Sequence, residues 1–298
     1  MSGLQQLAVV LLAGLSFGSI YSMMAIGFSL LWQTSRTINF AQGDFATLAG
    51  FLLIAFVVDW KTPLVLGAIL AVVCVAVVLG YVFRATIIRR MHGRGLMSVV
   101  IATFALSTVI ENGLAALWTP QPLAAPSIVP TGTWHVGGVP VGKQTVFDFA
   151  VAAVMLIGLE LFLNRTRTGL ALQATAQNAP VARMLGLNTR RMITYAFVIN
   201  AVLAGAAGVL LAHIYFAQWD NGLQLGLYAF YAAIIGGLNS PRGALVGGLV
   251  VGLVQSISAA YISSTYASGI LVAALIATVL VRPQGLLGQR ELVKEYTA

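Results

Sequence analysis

Charge is what this sequence has least of. Asp, Glu, Lys and Arg make up 8% of its 298 residues, where a soluble domain carries roughly 25%, and only eight of the charged residues are acids. With 59% hydrophobic residues and a mean hydropathy of +0.93, water is not the solvent for most of the surface. The single Cys74 lies in an apolar run, which excludes a disulfide framework and leaves the redox compartment open. His92, His135 and His213 are scattered, with neither H-E-x-x-H nor Cys/His ligand spacing, so no metal site is expected. Ser268-Gly269 has no preceding glycine or partner histidine, and no other set of catalytic residues clusters. A membrane enzyme would therefore have little to work with. One near-miss for a phosphate-binding loop, Gly137 to Gln144, has Gln144 where Ser or Thr must follow the lysine to hold magnesium. No nucleotide site is expected in this chain. Lys and Arg are also missing ahead of Arg36, so the first apolar run lacks the basic start of a secretory signal and reads as an uncleaved span.

What is present is a series of apolar runs near the ~20 residues needed to cross a bilayer. We place spans at 4–31, 38–58, 63–83, 96–117, 146–163, 192–217, 223–238, 243–261 and 268–281. The fold class is all-α, a polytopic transmembrane helix bundle of eight to ten crossings forming one transmembrane domain over 1–298. A β-barrel would show short alternating segments instead. Fourteen of the sixteen basic residues fall in one set of alternating loops, leaving only Lys61 and Lys143 in the other. The positive-inside rule puts the first set in the cytoplasm, hence the N-terminus outside and the C-terminus inside. Thr131, in the Pro-rich loop 118–145, is then external, and Gln177, in the loop 164–191, and Gln289 are cytoplasmic. Basic residues confined to such loops are topology signals rather than a nucleic-acid face.

Small residues recur at four-residue spacing, notably Gly14 and Gly18, Gly205 and Gly208 in adjoining series, and Gly243 and Gly247. That spacing lets helix backbones approach closely in lipid. Polar groups at membrane depth are costly and point to function. Asn39, Gln42 and Asp44 cluster where the second span begins, Glu111 and Asn112 interrupt the fourth, and Asn200 lies midway along its span. These six are the candidate solute pathway, although Asp44 also suits a helix's first turn. Asn39 to Gly43 and Asn239 to Gly243 share N-x-x-x-G, a weak internal echo.

The loop 164–191 carries five arginines and no acid. Within it, Asn178 to Gly186 reads as a short helix: Asn178 as N-cap, Pro180 in the first turn, Gly186 at the stop. Val181, Met184 and Leu185 fall on one face, beside Arg183. Taken alone, that pattern describes either a helix resting on the membrane or one that docks into a cytoplasmic partner.

Four stretches carry a more specific resemblance: "TINFAQGDFATLAGF", "ATAQNAPVARMLGLNTRRM", "IIGGLNSPRGALVGGLVVGLV" and "VRPQGLLG". In this order, across about residues 10 to 288, the chain resembles permeases of branched-chain amino acid ABC importers, the Liv type, and more closely the shorter of the usual pair. Gln42 stands where that family often has His. The resemblance implies a permease subunit in the bacterial inner membrane that pairs with a second related permease. Two cytoplasmic ATPases, holding ATP and Mg, and an external solute-binding protein would complete the importer. It also implies that Pro180 to Gly186 is the coupling helix to an ATPase, and that solutes include branched-chain amino acids, urea, amides or aromatic acids. The competing reading is a stand-alone secondary transporter or channel, which needs coupling-ion sites beyond Asp44 and Glu111.

Overall fold

Lipid offers the backbone no hydrogen-bond partner, so each apolar run must satisfy its own N–H and C=O groups. In the computed structural model they do so as helices; it describes residues 3–88, 90, 96–118, 121–127, 129, 132–136 and 139–288. Helix α1 is Gly3–Ser35. Helix α2, Gln42–Ile54, continues through wider π-helical turns to Asp59, and α3, Leu64–Val75, continues in the same way to Ile88. Then come α4 (Leu96–Leu117), a hairpin of β1 (Thr133–Val136) with β2 (Val139–Gly142), and α5 (Lys143–Arg165). Two short helices follow, α6 (Arg167–Gln177) and α7 (Ala179–Met184), and then α8 (Thr189–Tyr215), α9 (Asn221–Gly236), α10 (Pro241–Tyr261) and α11 (Ala267–Val281). Among the described residues, seven helices are long and apolar enough to span: α1, extended α2, extended α3, α4, α5, α8 and α10. The expected spans at 223–238 and 268–281 are the shorter α9 and α11.

Small residues decide how these helices meet. Gly14 lies against Leu253, Gly18 against Leu249 and Ser22 against Gly248, so α1 and α10 run antiparallel. The Ser22 hydroxyl donates across the seam to the Leu245 carbonyl at 2.6 Å. Ala46 meets Gly208 and Gly50 meets Ala212, which makes α2 parallel to α8. Gly80 meets Ala201 while Gly205 lies by Val72, so α3 is antiparallel to α8. Gly236 meets Gly243 and Ala232 meets Gly247, closing α9 onto α10. At five of the six predicted packing glycines a methyl would be at or inside contact distance of a neighbouring backbone; at Gly205 the nearest atom is an ordinary 3.5 Å away. Gly205 is therefore not required by packing. Four helices start with side-chain caps, from Thr166, Asn178, Asn188 and Ser240, each accepting from the backbone N–H three residues on.

Thr131 lies outside the described residues, as do Gln289, His92, Gly137 and Gly138. Val139 to Lys143 forms strand β2 and the first residue of α5, an arrangement unlike the strand–loop–helix cradle of a nucleotide site.

Candidate functional site

Helix α2 starts inside the bundle rather than at its edge. After α1 the chain turns at Arg36, whose φ is +51°, and folds back. Gln42 then donates its amide to the Met24 carbonyl of α1 and sits beside Gly27 and Asn200. Asn200 is eleven residues into α8, about 16 Å along its axis. Asn39 sets up this entry by accepting from the Ala41 N–H at 3.2 Å.

Helix α9 also starts inside. Phe216, with φ +56°, ends α8, and Ala217 pairs with Leu123 and lies near Gly50. By Gly222 the chain has reached α2. The two first turns touch: Gly43 packs on Gly222 and Gly226, and the Asp44 carboxylate packs on Gly222. A Cβ at Gly43 would fall on the Gly222 carbonyl, and one at Gly222 on Asp44 Oδ1, so neither position admits a side chain. Two helix N-termini, each with partial positive charge, thus converge near one buried carboxylate. Transporters build solute sites from discontinuous helices of this kind.

Four of the six predicted pathway residues meet in this region. Asn39, Gln42, Asp44 and Asn200 are all at most 1% exposed. Asp44 Oδ1 and Oδ2, Gln42 Oε1, Asn39 Nδ2 and both amide atoms of Asn200 have no hydrogen-bond partner among the described residues. An unsatisfied buried polar group costs about 1–3 kcal/mol, so the fold holds hydrogen-bonding capacity here at a price in stability. Ser107 of α4 approaches Asp44 without closing a hydrogen bond, and Glu111, one turn further, acts on it electrostatically. Glu111 in turn feels Asp220 at the N-cap of α9. Asp44 is buried, Glu111 half-buried and Asp220 exposed, so the carboxylates lead from the surface inward. Asn112 does not join them: it is exposed and donates to Thr108 of its own helix at 2.8 Å. The N-x-x-x-G echo has no structural counterpart either, since Gly43 faces α9 from the interior whereas Gly243 meets the end of α9.

At the other ends of α5 and α8 lies a polar chain that the sequence reading overlooked. Gln144 accepts from the Val129 N–H at 3.2 Å and donates to Asp148 Oδ1 at 2.8 Å. Asp148 Oδ2 is 3.2 Å from His213 Nε2. Asp148 is fully buried and the His213 side chain is 8% exposed. An acid in the first turns of an apolar span was the available signal. Gly222, Ser107 and Asp220 were also missed, because a glycine, a serine and a loop acid are unremarkable in one dimension.

The short helix α7 has the ends expected of it. Asn178 Oδ1 accepts from the Val181 N–H at 3.1 Å, Pro180 sits in the first turn, and Gly186 takes φ +82° after the helix. Val181, Met184 and Leu185 are 47%, 87% and 75% exposed, and Arg183 is exposed beside them. Ala182, between them, is 2% exposed and anchors α7 to the bundle. Across the bundle, Leu286 and Leu287 N–H groups donate to Ile235 and Gly236 carbonyls at 2.8 and 3.0 Å, while Gly285 packs on Gly237. The stretches "IIGGLNSPRG" and "RPQGLLG" thus form one latch at the end of α9.

Comparison with known proteins agrees with this arrangement. Residues 10–280 match the family model described as "Branched-chain amino acid transport system / permease component". The high-affinity branched-chain amino acid transport system permease protein LivH of Escherichia coli is 30% identical, over 94% of this chain and 95% of its own length. The corresponding BraD of Pseudomonas aeruginosa is 30% identical over 95% and 96%. The galactofuranose transporter permease protein YtfT of Escherichia coli is 28% identical over 84% and 69%. No solved structure matches. The chain belongs to the family of branched-chain amino acid transport system permease components, and is a multi-pass inner-membrane permease subunit.

Proposed function

We propose that this chain is one permease half of an ATP-binding cassette importer for branched-chain amino acids or a similar small solute. A second related permease pairs with it, two cytoplasmic ATPases supply ATP and Mg chemistry, and an external solute-binding protein delivers the solute. The solute passes the polar region where α2 and α9 begin, meeting Asn39, Gln42, Asp44 and Asn200, with Glu111 on the approach.

The observation that carries this reading is α7, a helix with an exposed apolar face in the most basic loop of a chain whose sequence predicts no nucleotide site. Large apolar side chains held 47–87% exposed on a helix this short fill a partner's groove, worth up to about 1.5–3 kcal/mol each on burial. Arg183 adds a charge-assisted bond at the rim. ATPase closure then moves α7, and Ala182 passes that motion to α8. A helix resting on the membrane would use the same face, and the Leu185→Asp measurement separates the two.

Leu185→Asp places an unpaired charge in that groove. It is expected to release the ATPases on purification, or to abolish solute-stimulated hydrolysis, while the spans stay folded. Gln177→Asp, exposed and off the apolar face, is the control; Ala182→Asp is unsuitable because Ala182 is buried. A Leu185→Asp complex that keeps its ATPases and its stimulated hydrolysis contradicts the coupling role.

A further inference from the structure

Topology signals require basic residues in a loop but do not require them to share a cavity. A cavity of about 740 Å³ opens between the ends of α1 and α3 and the start of α8, and reaches Arg183 of α7. Its wall includes Arg84, Arg183, Arg190 and Arg191, with Tyr81 and Tyr195, and no acid is among the described lining residues. Arg84 is only 8% exposed and donates Nη2–H to the Arg190 carbonyl at 3.1 Å, which fixes its guanidinium to the start of α8. Arg183, Arg190 and Arg191 are exposed. Tyr81 and Tyr195, 55% and 43% exposed, are the amphipathic residues that favour the headgroup level of a bilayer. Beside Tyr81, Val77, Val78 and Val82 of α3 are also 44–52% exposed, an apolar wall running away from the arginines.

We propose that this cavity binds a phosphate anion, supplied by the headgroup of an anionic phospholipid of the cytoplasmic leaflet. The exposed guanidiniums of Arg190 and Arg191, with Arg84 fixed beside them and no acid among the described lining residues, match phosphate oxygens through paired N–H donors, and basic pockets between membrane helices at that face hold anionic headgroups. The apolar wall of α3 accommodates the acyl chain, which a soluble phosphate cannot use. Because the same cavity reaches Arg183, the bound lipid braces the loop that carries α7. The lipid's leaflet rests on the cytoplasmic assignment of loop 164–191, but binding itself does not, so a failure of either is separately visible.

The test is native mass spectrometry of the assembled transporter, delipidated and titrated with phosphatidylglycerol, phosphatidylcholine or inorganic phosphate. Phosphatidylglycerol is expected to bind at least tenfold more tightly than phosphatidylcholine. The double variant Arg190→Gln/Arg191→Gln should weaken it about fivefold for each arginine removed. Arg242→Gln, an exposed arginine paired instead with Glu160 at 2.6 Å, should leave it unchanged. Retention of inorganic phosphate without lipid, lost in the double variant, keeps the phosphate site and overturns its lipid source. Equal retention of the two lipids, or a double variant that binds like the parent, overturns the proposal. Loss of the ATPases from the double variant with lipid affinity intact also overturns it and assigns the arginines to an acidic protein partner.

Discussion

A glycine's value in a membrane bundle depends on what a methyl group would strike. At Gly208 it would strike the Ala46 backbone carbonyl of α2, whereas at Gly205 it would rest 3.5 Å from Val72. Gly208→Ala must push α2 away from α8, at the ~1–3 kcal/mol typical of overpacking. Gly205→Ala has room and gains up to about 1 kcal/mol of helix propensity. Thermal denaturation of the purified complex should show a clear drop for the first substitution and none for the second. The sequence places both glycines in four-residue series, yet only the facing helix distinguishes them. The same limit explains Asn112, which shares a polar pair with Glu111 in the sequence but turns back onto its own helix.

Among the elements, α2 and α9 matter most because each begins within the bundle. Asp44 lies where their positive ends approach, and a buried carboxylate in such a field gains up to ~2 kcal/mol from a helix terminus. Asp44→Asn keeps the shape and removes the charge. The complex should assemble normally, while the initial rate of solute uptake changes by about tenfold or more, the equivalent of ~1.4 kcal/mol in the transport barrier. Unchanged uptake kinetics would reduce Asp44 to a helix-end residue. Much of this level was legible in one dimension: apolar runs set the spans, and Asn178, Pro180 and Gly186 marked α7 because caps and positive-φ stops have strong residue preferences. The interior start of α2 was not legible, and a span from 38 was expected where the helix begins at Gln42. Hydropathy does not register a chain that doubles back at Arg36 before entering a helix. Nor does it register that the first turn of α9 reaches Asp44, a contact between residues far apart in sequence.

For the whole molecule, the antiparallel packing of α1 with α10, α3 with α8 and α9 with α10, and the parallel packing of α2 with α8, fit an alternating path, and the positive-inside rule predicts that its basic loops are cytoplasmic. Single cysteines in a Cys74→Ala background test this. Gln177→Cys should react with an impermeant thiol reagent only after permeabilisation, and Ser264→Cys, between α10 and α11, should react in intact cells. Labelling of position 177 from outside reverses the assignment and detaches α7 from any cytoplasmic ATPase. The proposed dependence of this permease on ATP hydrolysed on other chains is the point on which its function turns. It is tested most directly by leucine uptake into proteoliposomes holding the purified complex, with ATP inside and the solute-binding protein outside. Leucine should accumulate against its gradient only when ATP, Mg and both ATPases are present. Accumulation driven by an ion gradient without ATP would contradict the account.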